Sequence, residues 1–244
     1  MAAEMHVSLA PEPIAHIGSF VITNSMLTAV ITTILLASGM IIASRQIKLH
    51  PAGGFAGAIE ALIETLLDQM EQVFGSRQRA LYYFPFLATL FLFILSNNWF
   101  ALLPGFNTIH LGDVPLFRAV TADLSATIAL ALVSVVLTQV YAIRELGVMG
   151  NLRRYFSSNP AMNILGVQEI ILESTRVISF SFRLFGNIFA GEVLLIVISA
   201  LLPILGPTPF WGLEIFVGFI QALVFTMLTM VFIAMSTDKE AAHH

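Results

Sequence analysis

The sequence contains no cysteine and little charge. Without cysteine the chain builds neither a disulfide framework nor a thiol-based metal or redox centre. Asp, Glu, Lys and Arg together supply only 11% of its residues, and no basic tract is interleaved with aromatics. A nucleic-acid surface is therefore excluded. The phosphate-cradling G-x-x-x-x-G-K-[ST] loop is missing, as are G-x-S-x-G and H-E-x-x-H. An intramembrane hydrolase would need such a nucleophile or metal motif. Nothing in the pattern asks for a cofactor or a metal ion. Residues 1–18 lack a cationic start followed by an apolar core, so no cleavable signal peptide is predicted. Internal repeats are also absent, which weighs against the alternative of a self-contained ion-coupled secondary transporter built from paired repeats.

What the sequence has is apolar length. Hydrophobic residues make up 57% of the chain, in runs long enough to cross a bilayer. The pattern predicts an all-α polytopic membrane protein. A polar N-terminal arm, extended or short helical, covers 1–18, and a single membrane domain covers 19–244. Five membrane-embedded helices are predicted, over about 19–44, 80–103, 123–143, 168–202 and 210–236. Residues 54–75 differ. Glu60, Glu64, Asp68 and Glu71 share one face and Leu62, Leu66, Met70 and Val73 the other, which predicts an amphipathic helix at the interface. Polar connections are predicted over 104–122 and 144–165, with Pro160 as a break.

The basic residues predict an orientation. With the N-terminus outside and the C-terminus in the cytoplasm, Arg45, Lys48, Arg77, Arg79, Arg144, Arg153, Arg154 and Lys239 fall inside. Only Arg118 falls outside, as the positive-inside rule requires. Arg176 and Arg183 remain within a membrane helix.

Those two arginines set the chemistry. A charge near the middle of a span costs about 3 kcal/mol on insertion scales, so it marks a functional site by default. At about 100° per residue, Glu169, Arg176, Arg183 and Asn187 fall in one narrow stripe, with Glu192 on roughly the opposite face. Arg183 stays charged at any physiological pH. It cannot carry a proton, but it can favour the ionised form of a passing carboxylate and block a direct leak. Glu192 and Glu214 lie 13 and 9 residues from the turn near 205, so an antiparallel hairpin brings them to similar depth, where a shared relay or a structural proton-sharing pair is expected. Asn187 and Gln221 suit water-binding along the same route. Glu169 and Glu173, at the cytoplasmic start of the helix, suit proton collection or release, or simple complementation of the helix dipole. Asp123 and Asn98, near the outer surface, suit an entrance; Asp123 equally suits an N-cap.

The stretch S-F-S-F-R-L-F-G-N-I-F-A-G-E, Ser179 to Glu192, closely resembles the signature helix of the a subunit of F-type ATP synthases. E-I-F-V-G-F-I-Q-A (Glu214 to Ala222), N-N-W-F-A-L-L-P (Asn97 to Pro104) and T-A-D-L-S-A-T (Thr121 to Thr127) extend the resemblance along most of the chain. It implies a non-catalytic proton-channel subunit in the cell inner membrane. Its partners would be a ring of c subunits, the peripheral-stalk b subunits and the other synthase subunits. Two offset half-channels would meet the ring, with Arg183 separating them. Asn187, Glu192, Glu214 and Gln221 would be channel positions, and Glu169 and Arg176 cytoplasmic-side positions. The last two helices would form a long hairpin tilted against the ring. The chain departs from the family pattern in places. Both acidic channel positions are Glu where some members have His, Ala101 replaces an acid found in some relatives, and Val177 follows Arg176 where proline is common.

Overall fold

The structure, a computed structural model, describes residues 11–18, 20–46, 55–103, 106, 109–111, 114–155, 160–202 and 206–237. Lys48, Pro104, Gly105, Gly112 and Lys239 lie outside them, as do the side chains of Arg45, His110, Arg153 and Arg154.

The N-terminal end differs from expectation. The chain forms a hairpin of β1 (Pro13–Ile17) and β2 (Phe20–Thr23), not an arm leading straight into a helix at 19. Gly18 turns it at φ 63°, a left-handed conformation that costs glycine little. Val21, Ile22 and Thr23 are β-branched and favour strand, although hydropathy alone merges them with the span that follows. α1 (Asn24–Gln46) then starts with the Thr23 hydroxyl accepting the Met26 N–H at 3.4 Å.

α2 (Phe55–Phe74) is the predicted amphipathic helix. Among the described residues its acidic face meets Arg77, which reaches Glu64 at 2.9 Å and Asp68 and Glu71 at 3.4 Å, all well exposed. Such surface pairs are worth little. Its apolar side is held by burial instead. Met70 and Phe74 pack with Tyr83 and Leu87 of α3 (Arg77–Phe100) and Met230 and Ile233 of α6 (Pro207–Ser236). Gly75 ends α2 at φ 74°, and the Ser76 hydroxyl caps α3.

A short hairpin, β3 (His110–Leu111) with β4 (Val114–Pro115), and a 3-10 turn at Val120–Ala122 lead into α4 (Leu124–Tyr155). Here too the boundaries differ. Most of the predicted polar connection 144–165 is helical. α4 breaks at Gly147 (φ 76°, ψ 163°) and continues to Tyr155. α5 begins at Pro160, whose fixed φ suits a first helical turn, and runs unbroken past Val177 to Leu201. Its 42 residues measure about 63 Å against a hydrocarbon core of about 30 Å, so it either tilts strongly or emerges from the bilayer.

The core joins α3, α5 and α6. Phe91 and Ile94 meet Phe180 and Leu184 of α5 and Ala222 and Phe225 of α6. Among the described residues five helices are long and apolar enough to cross a membrane, as predicted: Asn24–Ile42, Arg77–Phe100, Leu124–Leu152, Gly166–Leu201 and Pro207–Ser236.

Candidate functional site at the α5–α6 hairpin

α5 and α6 run antiparallel, and polar side chains recur along their seam. At one end Arg176 is shielded. Its guanidinium carbon lies 3.8 Å from the centroid of the Phe232 ring of α6, and a nitrogen lies 3.7 Å from Glu169. An aromatic face and a carboxylate together make this a satisfied cation.

Arg183, two turns on, is placed differently. It is exposed, and among the described residues its hydrogen bond runs to the Ser179 hydroxyl, one turn back on the same helix, at 3.5 Å. The uncovered ridge around it follows helical spacing: Thr175, Ile178, Ser179, Phe182, Asn187 and Ala190. None of these neighbours is charged. The single stripe drawn from the sequence is therefore divided. Arg176 and Glu169 face a neighbour in the chain, and Arg183 faces out.

Asn187 closes the next contact, its amide donating to Oε1 of Gln221 at 2.8 Å. Gln221 is buried, and its Nε2 has no protein acceptor among the described residues. A hydrated neighbour suits that donor.

Beyond it lie the two carboxylates. Glu214 is buried at 7% exposure against the backbone of α5 at Gly191. A Cβ at Gly191 would sit 2.0 Å from Oε1 of Glu214, so glycine gives the carboxyl its room. Glu192 follows directly. It accepts the Ala119 N–H and feels the charges of Arg118 and Glu214. Sequence reasoning misses Arg118 and Gly191. Arg118 reads as a lone outer-loop cation, but it is only 8% exposed and donates to the Ala122 carbonyl at 3.3 Å. The available signal is its position, as the one basic residue just before the helix opened by Asp123.

Asp123 and Asn98 border this end, and their polar atoms are occupied by packing. Asp123 accepts the Ser25 hydroxyl at 2.6 Å and the Ser125 N–H at 2.9 Å, which caps α4 and ties it to α1. Asn98 donates to the Gly218 carbonyl at 3.0 Å and accepts from Thr121 at 2.8 Å. Glu173 stands apart from the seam. It turns towards α4, where Tyr155 donates to it at 2.7 Å and Gln139 also reaches it.

Five helices able to cross a membrane, with an exposed arginine and a buried glutamate on one helical hairpin, define a polytopic membrane protein. Residues 26–234 match the family described as ATP synthase A chain. The chain is 35% identical to ATP synthase subunit a of Moorella thermoacetica over 226 residues, covering 92% of this chain and 95% of the relative. It is 32% identical to ATP synthase subunit a of Mycobacterium marinum over 233 residues, covering 93% and 92%. It is 34% identical to ATP synthase subunit a 2 of Pelobacter propionicus over 219 residues, covering 90% and 89%. The chain belongs to the ATP synthase A chain family, the non-catalytic proton-channel subunit of the F-type enzyme.

Proposed function

We propose that Arg183 is the fixed positive charge that divides two half-channels at the surface of a c-subunit ring. The observation that carries this reading is its exposure on an otherwise uncharged ridge of a membrane helix. A guanidinium left facing lipid is costly, so that ridge needs a cover, and a partner bearing a carboxylate at the same depth satisfies both charges.

Protons enter from the outer side by way of Glu192 and Glu214, with Asn187 and Gln221 holding water beside them. They neutralise a ring carboxylate, which can then move through lipid. When the carboxyl returns to Arg183, the cation favours its ionised form and the proton leaves towards Glu169 and the cytoplasm. Asp123 and Asn98 shape the outer wall. The subunit couples this flow to rotation; ATP is made elsewhere in the complex. The orientation is N-out and C-in, in the cell inner membrane, with peripheral-stalk b subunits beside the chain.

The test reconstitutes the complex in vesicles under an imposed pH gradient and follows ATP formation together with vesicle acidification. Arg183→Ala is expected to assemble, to lose coupled synthesis and to leak protons. Arg183→Lys is expected to lose synthesis but to leak less, since a positive charge remains. Normal coupled synthesis by the alanine variant would sink the assignment.

A further inference from the structure

A polar cluster outside the seam lies between α4 and α5, and it depends on a reversal of the chain. Gln139 and Tyr155 are both residues of α4, 16 positions apart. In a straight helix that separation is about 24 Å. Here the Gln139 amide donates to the Tyr155 hydroxyl at 2.8 Å. Asn151, 12 positions from Gln139, donates to its Oε1 at 3.2 Å. Gly147, at φ 76°, folds the end of α4 back alongside its own first part.

Glu173 of α5 completes the cluster. Its Oε1 accepts both the Tyr155 hydroxyl, at 2.7 Å, and the Gln139 amide. The backbones are close as well, because a Cβ at Gly166 of α5 would lie 2.0 Å from the Tyr155 carbonyl oxygen. Glu173 is thus tied to α4, while Arg176, three residues later and about 60° round the helix, is tied to Phe232 of α6. Two neighbouring helices grip α5 at nearly one level. Arg183 lies ten residues on, about 15 Å along the axis and roughly 80° from the direction of Glu173.

We propose that Glu173 is a positioning residue: with Tyr155 and Gln139 it clasps the folded-back end of α4 to α5, fixes the roll of α5 about its axis, and so sets the direction in which Arg183 faces. This assigns Glu173 a role outside the ion path, and it rests on the reading of Arg183 given above. A clasp needs an acceptor oxygen at this position, which glutamine also offers. A proton carrier needs a titrating carboxyl, which glutamine lacks.

The experiment uses the whole complex in vesicles and measures ATP-driven proton pumping across a pH series, with hydrogen exchange of residues 148–155 in parallel. Glu173→Gln should pump within about twofold of the parent, with an unchanged pH profile. Glu173→Leu should lose roughly threefold or more in pumping and expose 148–155 to exchange. Tyr155→Phe removes one donor from a residue that keeps its ring, so it should shift both readouts the same way but less. If Glu173→Gln is as damaging as Glu173→Leu, the titrating carboxyl matters and the clasp is overturned. Parent-level pumping by every variant overturns it too. Arg183→Ala in the same vesicles reports on the arginine separately. If that variant pumps normally while the Glu173 series behaves as expected, the reading of Arg183 falls and the hold on α5 stands.

Discussion

The side-chain amide of Asn187 donates to Oε1 of Gln221 at 2.8 Å, joining α5 to α6 one turn beyond Arg183. It is a side-chain hydrogen bond between the two helices of the hairpin, beside the exposed cation. Interhelical bonds of this kind average about 0.6 kcal/mol in membranes, so neither partner is expected to decide assembly. On the proposed channel their value would lie in placing polar atoms where water is needed.

Asn187→Leu and Gln221→Leu should therefore each assemble and each slow proton flux. The double variant should be scarcely worse than the poorer single, because the two amides act as a unit. Flux through reconstituted complexes checks this. Multiplied effects with unchanged assembly would mean that the residues work independently.

The proposed orientation can be read from single cysteines, since the chain has none of its own. Ile109, before β3, and Met149, just past the Gly147 break, are 50% and 69% exposed. A membrane-impermeant thiol reagent should label Ile109→Cys from the outer side and Met149→Cys from the cytoplasmic side. Labelling of both from one side would contradict the N-out, C-in arrangement.

Residue spacing is enough to make the hairpin legible. Glu192 and Glu214 are counted from a turn rich in proline and glycine, and a rise per residue suffices to place them at one depth. Spacing does not reveal that Arg176 and Arg183 have opposite surroundings. A helical wheel puts them on nearly the same face, seven residues apart. What separates them is Phe232, a side chain of α6 that covers the level of Arg176 and leaves that of Arg183 bare. Periodicity describes one helix and says nothing of where its neighbour crosses. The surroundings of Glu173 are hidden for a related reason. A wheel assumes a straight axis, and the left-handed Gly147 brings Tyr155 back to Gln139. At the N-terminal end, β2 is hidden because its apolar residues run directly into those of α1.

Gly191 offers the sharpest test of the hairpin carboxylates. An added Cβ would meet Oε1, Cδ and Oε2 of Glu214 at 2.0, 2.3 and 2.4 Å, and these atoms are the far end of a flexible side chain. The backbone need not move; the carboxyl must. Gly191→Ala is therefore expected to leave assembly intact and to displace Glu214 from its seat against α5. Proton flux should fall about as far as it does in Glu214→Gln, which keeps the shape and loses the titration. The background matters. In Glu214→Ala the three atoms nearest the added methyl are gone. Alanine is also the better helix former by roughly 1 kcal/mol in the scales measured in water. In that background Gly191→Ala should cause no further loss of flux and should hold or raise thermal stability. The measurement is a double-mutant cycle of flux and unfolding midpoint on the intact complex. Equal losses from Gly191→Ala in both backgrounds would show that the glycine serves some contact other than the seat of Glu214.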